Sequence, residues 1–333
     1  MIKRIFYSLW RLAVAGAVLI FIASHFSTVI HGFSTRYITH PIRGFYAALT
    51  NTLPIPLFEI GAVLLVLAIP FLMWRYVSGI GRLTPLLLSL EIILFGYLIT
   101  IGIDGAIPQK REDVTLDEPS YSSALENISA ELNSLVGAVP ETNVFSEYEI
   151  REAAAAYAYG TLDSHFTHIP KIKETIFGRM IKSLGTTAYY APFTAEVIVR
   201  SELSDVRRTS ASMHELMHFV GVTDEDGAVY HSVSALISAK DDRLRYSGLL
   251  EAYVHVGSML YEINPDKYFE ISSDLLPRVT KDLASWSKNT ADSELGDKLN
   301  DAAIALRDGR GADSYKNAAA YIARLFGKEM TEQ

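Results

Sequence analysis

Three apolar runs dominate the first third of the chain, at 6–26, 56–74 and 83–103. Each is about 20 residues long, the length at which a helix crosses the hydrocarbon of a bilayer. Arg11 and His25 interrupt the first run, Glu59 lies near the start of the second, and Glu91 lies inside the third. The intervening stretch 25–53 reads as a loop carrying Arg36 and Arg43. Lys3, Arg4 and Arg11 sit at the start of the first run, and Arg75 and Arg82 crowd the short connection between the other two. Positive charge marks the inner side of a membrane. Residues 1–107 are therefore predicted to be a membrane anchor of three transmembrane helices, with 108–333 on the extracytoplasmic side.

After a charged, proline-containing linker at 108–117 the pattern changes to helical spacing. Helices are predicted at 122–135, at 146–159, and at 170–184, where proline opens the segment and Gly185 closes it. The stretch 186–199 is rich in Thr, Tyr, Phe and Val around Pro192 and reads as two short strands and a turn. Glu196 within it either lines a cleft or faces solvent. A helix capped by Thr209 or Ser210 runs to Gly221. Further helices are predicted at 224–239, 243–263, 267–287, 293–307 and 312–328. The predicted fold class is thus mainly α: three amino-terminal spans, then an α+β zincin-like domain with a small β-hairpin or sheet before the helix that ends at Gly221.

Composition narrows the chemistry. The formal net charge of -8 over 333 residues argues against a nucleic-acid partner. The chain has no cysteine, so disulfides, thiolate zinc sites and thiol nucleophiles are excluded. A metal site must draw on His, Asp and Glu.

His214-Glu215-Leu216-Met217-His218 supplies such a set. Residues at i and i+4 share a helix face, so both imidazoles can aim at one ion. Glu215 lies beside them, where a carboxylate can take a proton from a water acidified by zinc. Catalytic zinc takes three protein ligands and keeps one position open. Two templates supply the third: a glycine turn returning Asp224 at fixed spacing after Gly221, or a glutamate on the following helix, which is Glu225 with Ala228 behind it. His231 is off the face of Glu225 and weaker as a ligand. Tyr246 is the leading donor for an oxyanion, Arg245 can hold a substrate carboxylate, and His255 on the same helix reads as structural.

Four ordered pieces carry a resemblance: YYAPFTAE at 189–196, HELMHFVG at 214–221, EDGA at 225–228 and RYSG at 245–248. They resemble a family of unknown function made of polytopic bacterial membrane proteins regarded as zinc-dependent, gluzincin-like peptidases. The resemblance implies one zinc per chain held by His214, His218 and Glu225, with Asp224 as the alternative third ligand. It also implies three spans before an exported domain. The family pattern after the glycine is E-x-E-A-N; here Gly227 and Val229 replace the second glutamate and the asparagine. The lost polar residue at 229 would ordinarily support a metal-bound histidine.

The function expected is a membrane-anchored zinc metallopeptidase in a bacterial plasma membrane. Glu215 acts as general base, and the partners are a peptide or protein substrate and membrane lipid. The alternative is a catalytically degenerate binding or scaffold protein that keeps the fold, favoured by Gly227 and Val229. A third reading makes Glu59 and Glu91 an ion path.

Overall fold

A computed structural model gives the fold over residues 2–77, 84–106, 114–142, 145–164, 166–287 and 317–327. The amino-terminal part contains α1 (Ile2–Phe26), α2 (Thr28–Ser34), α3 (His40–Thr50), α4 (Leu57–Val77) and α5 (Thr84–Tyr97), with π-helical turns at Thr35–Thr39 and Leu98–Gly102. Among the described residues one helix, rather than the three expected, is long and apolar enough to cross a membrane: Ile5–Phe26, with mean hydropathy 2.0. Shorter apolar stretches occupy Leu57–Ala68 and Leu88–Thr100. Residues 25–53, read as a loop, are mostly helical, because α3 packs under the rest of the protein and buries His40, Arg43, Gly44 and Ala47.

Next come α6 (Glu118–Leu135), α7 (Glu147–Thr161), β1 (Ile172–Glu174), α8 (Gly178–Ser183), β2 (Ala188–Ala191) and β3 (Glu196–Val199). Then follow α9 (Asp205–Phe219), α10 (Glu225–Ile237), α11 (Asp242–Ile263), α12 (Pro265–Ser272), α13 (Pro277–Ser287) and a last described helix, Ala318–Phe326. The helix predicted at 170–184 is instead β1 followed by α8. Proline and glycine framed the segment correctly, but Ile172, Lys173 and Glu174 pair in parallel with Val197, Ile198 and Val199. The hairpin expected at 186–199 forms, with Tyr190 opposite Val197, and the sheet order is β1-β3-β2. The helix predicted at 293–307 lies outside the described residues.

Helix α9 begins at Asp205, four residues before its predicted cap. Thr209 instead bonds back to the Asp205 carbonyl, and the Ser210 hydroxyl reaches across to Glu251. Two apolar clusters flank this helix. One joins the sheet to α7 and α9 through Ile150, Val197, Met213, Leu216 and Phe219. The other joins α6, α10, α11 and the last helix through Ile128, Leu132, Val229, Leu249 and Phe326.

The sheet is fastened to the amino-terminal helices by buried charge. Glu196 is neither cleft-lining nor solvent-facing: it is fully buried, pairs with Lys173 Nζ at 2.6 Å, and accepts the amides of Leu57 and Phe58 at 2.9 and 2.8 Å. It thereby caps the amino terminus of α4 with a negative charge. Lys173 also donates to the carbonyls of Thr50 and Ile55. Glu59 accepts the hydroxyls of Thr175 and Tyr189 and the amide of Ile176. Glu91 accepts from Trp10 Nε1 at 3.0 Å and faces Arg11 at 3.6 Å. Both acids of the ion-path reading thus have structural partners. Glu196→Gln is expected to destabilise the protein by about 1–3 kcal/mol, since the amide still accepts a hydrogen bond but leaves the Lys173 charge uncompensated. Equilibrium unfolding in mixed micelles checks this, and adding Lys173→Met should recover most of the loss.

Candidate metal centre

Helix α9 carries the H-E-x-x-H turn in its last third and ends in a tight reversal. Gly221 has φ of 111°, a left-handed conformation that suits glycine. The amide of Val222 bonds the Met217 carbonyl at 3.0 Å, a bond characteristic of a Schellman stop. A Cβ at Gly221 would also lie 3.5–3.7 Å from atoms of His40, Asp104 and Arg43. The reversal sends the chain back along α9 as α10, whose first residue is Glu225. Asp224 is the N-cap of this helix, its carboxylate accepting the Gly227 amide at 2.7 Å. The alternative third ligand is therefore engaged in starting α10, and the glycine at 227 supplies the amide it caps.

Glu225 is fully buried between the two histidines. Its Oε2 lies 3.0 Å from His214 Nε2, its Oε1 lies 3.6 Å from His218 Nε2, and the two Nε2 atoms are 3.2 Å apart. One ligand atom from each of the three residues falls within 4.8 Å of the others. Ligands about 2.0–2.1 Å from a tetrahedral zinc would be about 3.3 Å from one another. The 3.2 Å between the two nitrogens and the 3.0 Å from His214 Nε2 to Oε2 lie close to that value, so the donor set fits zinc.

His218 Nδ1 lies 2.7 Å from the Val222 carbonyl. A carbonyl can only accept, so Nδ1 carries the proton and Nε2 presents its lone pair to the centre. The His214 side chain is 13% exposed whereas those of His218 and Glu225 are 2% and 0%, so the cluster opens on the His214 side.

Glu215 is buried, and its Oε2 accepts the backbone amide of Tyr190 at 2.7 Å. Tyr190 lies on β2, the sheet edge facing α9. Its ring reaches behind the motif helix toward Arg43 and Asp104. Burial pushes its phenol up to about 12, with Arg43 opposing and Asp104 adding to the rise. Arg43 and Asp104 form a buried ion pair, Thr39 donates to Asp104 Oδ1 at 2.7 Å, and Arg43 Nη1 reaches the His218 carbonyl at 3.5 Å. A guanidinium thus stands at the carboxyl end of α9, where the helix dipole favours a cation.

The structure does not bring Tyr246 to the cluster. Its side chain is fully buried in the apolar cluster around α11, and its hydroxyl donates to Asp282 at 2.8 Å. Burial and that hydrogen bond hold the phenol far above its usual range. The face of α11 that meets α9 is marked by Glu251, five residues on and about 140° around the helix. Arg245 pairs with Asp242 at 3.1 Å. His231 shares a hydrogen bond with the Tyr157 hydroxyl. Asp226 accepts the amides of Asn317 and Ala318, each at 3.0 Å, and so caps the last described helix. Val229 packs in an apolar cluster.

His255, which reads as structural in the sequence, and Glu251, which carries no signal there, lie on the face of α11 toward α9. Burial holds His255 below its usual range; Glu251 opposes this, while Arg207 and His214 add to it, so the ring is in electrostatic reach of the cluster. Glu251 is buried and accepts from Ser210 Oγ at 2.5 Å and Ser232 Oγ at 3.4 Å. Ser232 also donates to the carbonyl of Val229, so a carboxylate from α11 sits beside the position where the polar residue is missing. Glu251→Gln is expected to weaken zinc binding only about 2- to 3-fold, because its carboxylate bonds Ser210 and Ser232, on the two helices that carry the clustered side chains, rather than a ligand itself. Competition with a zinc chelator measures it; an unchanged affinity would assign Glu251 a purely structural part.

No curated protein and no solved structure matches the chain. A family model described as "Protein of unknown function (DUF3810)" matches residues 35–321, a span that takes in α3, Asp104 and the three clustered side chains alike.

Proposed function

We propose that this chain, which belongs to the family of proteins of unknown function DUF3810, is a membrane-anchored zinc peptidase. The observation that carries this reading is the convergence of His214, His218 and Glu225 within 4.8 Å, beside a carboxylate held on a strand edge. Two imidazoles and one carboxylate form a catalytic donor set that leaves a fourth position open. Bound there, zinc supplies Lewis-acid chemistry, acidifying a water and polarising a carbonyl.

The residues of the chain do the rest. Val222 fixes the His218 tautomer and ring plane. Glu215 takes the proton of the attacking water and passes it to the leaving amine. The amide of Tyr190 orients that carboxylate. The edge of β2 offers main-chain groups along which an extended peptide can lie. Tyr246, committed to Asp282, takes no part in this step.

The anchor is proposed to comprise α4 and α5 as well as α1, with the metal centre on the extracytoplasmic side. Leu64, Leu67, Ile92 and Ile93 are exposed on α4 and α5, a surface that lipid would cover. The charges of Lys3, Arg4, Arg75 and Arg82 support that orientation. The second reading, a non-catalytic scaffold, is favoured by the apolar placement of Val229.

Elemental analysis of the full chain in detergent separates the two. One zinc per chain is expected, lost in His214→Ala and in Glu225→Ala, together with chelator-sensitive cleavage of a mixed peptide library. A folded chain that takes up no zinc would leave the scaffold reading standing.

A further inference from the structure

Two turns up α9 from the metal cluster lies a cavity of about 810 Å³. Its wall includes Arg207, Thr187, His255, Ser258, Tyr261 and Trp286. Two independent rulers relate it to the cluster. On α9, Arg207 precedes His214 by seven residues, so the two share a face about 10.5 Å apart. On the sheet, Thr187 precedes Tyr190 by three residues, about 10 Å along an extended chain. Tyr190 is the residue whose amide meets Glu215. A third element agrees: Glu251 on α11 touches Ser210 on α9, and His255 follows one turn later beside Arg207. The helix face, the strand edge and α11 therefore lead from the cluster to the same cavity.

The wall is built for flat apolar groups. Arg207 stacks over the Trp286 ring at 4.5 Å, and the guanidinium and indole form one platform. Tyr261 is 48% exposed and meets Tyr268 edge to face at 5.5 Å. The volume lies within the range of about 300–1,000 Å³ usual for ligand sites. The amide of Tyr190 points away from β3, and the carbonyl of the same residue projects to the same side of the strand. A peptide laid along that edge advances about 3.3 Å per residue, so a residue two or three positions from the one at Glu215 arrives at the cavity mouth.

We propose that this cavity is a substrate subsite, which selects a peptide with a large apolar side chain, aromatic above all, two or three residues from the bond that is cut. The assignment rests on the peptidase reading for the identity of that bond. Its test does not depend on turnover. Zinc-loaded full-length Glu215→Gln in detergent is titrated with fluorescein-labelled Gly/Ala decapeptides in which one Phe is walked through the sequence, and binding is read by polarisation. One Phe position should bind about 10- to 100-fold more tightly than the all-Gly/Ala peptide, the gain expected from burying one such side chain. Ser258→Trp, which fills the cavity from its wall, should erase that preference while zinc content stays the same, and Tyr261→Ala should reduce it several-fold. Equal affinity for every peptide, or a preference that survives both variants, overturns the subsite. Selective binding with no cleavage by the unmodified chain would keep the subsite and discard the peptidase; cleavage without selectivity would do the reverse.

Discussion

Glutamine in place of Glu215 is expected to leave zinc bound and to lower peptide hydrolysis about 10²- to 10⁴-fold, the usual contribution of a general base. The substitution isolates the base because a Gln side-chain oxygen can still accept the Tyr190 amide. The strand edge, the motif helix and the His214, His218 and Glu225 side chains then keep their places, and proton transfer alone is lost. Zinc content and unfolding midpoint should match those of the unmodified protein, with the loss falling on kcat. Hydrolysis within threefold of the original rate would remove Glu215 from the reaction.

Arg43→Ala carries the largest expected cost in stability, about 3–5 kcal/mol, the penalty for leaving one member of a buried ion pair alone. Asp104 would keep the Thr39 and Thr35 hydroxyls but lose its counter-charge. The Phe166 and Phe219 rings, 5.5 and 6.0 Å from the guanidinium, would border a void. The damage should also reach the metal centre, because Arg43 bonds the carbonyl of His218 and packs at Gly221. Equilibrium unfolding measures the first effect and chelator competition the second. The pair Arg43→Met with Asp104→Leu separates them: replacing both charges by apolar groups should restore much of the stability, yet zinc affinity should stay low, since the His218 carbonyl still lacks its donor. A single Arg43→Ala loss under 1 kcal/mol would contradict the description of the pair as buried and coupled.

What could be read from the sequence was what is local. The H-E-x-x-H turn, the glycine stop and the return of Glu225 span twelve residues, and helix periodicity alone places them near one another. The hairpin at 186–199 is equally short-range. Asp224 against Glu225 is not a local question, because either carboxylate can follow a glycine turn; in the fold Asp224 caps Gly227 while Glu225 lies between the two imidazoles. The position of Tyr246 is likewise not a local property. A four-residue piece does not say which face of α11 meets α9, and the apolar cluster claims that side chain. Arg43, Asp104 and Glu251 gave no signal, since their partners lie far along the chain: Arg43 is 175 residues from His218, and Glu251 is 41 from Ser210. The stretch 25–53 reads as a loop because it joins two apolar runs, whereas tertiary contacts bury Arg43 and His40 in a helix.

The fastening of the sheet to the amino-terminal helices has a practical corollary for anyone seeking a soluble fragment. Cutting the chain after residue 107 would strip Glu196 of the Leu57 and Phe58 amides, Lys173 of two carbonyls, Tyr189 of the Glu59 carboxylate and the turn at Gly221 of its arginine. The segment that looks like a detachable tether is part of the scaffolding of the half that carries the histidine cluster, and the smallest workable unit for the bench begins upstream of α3.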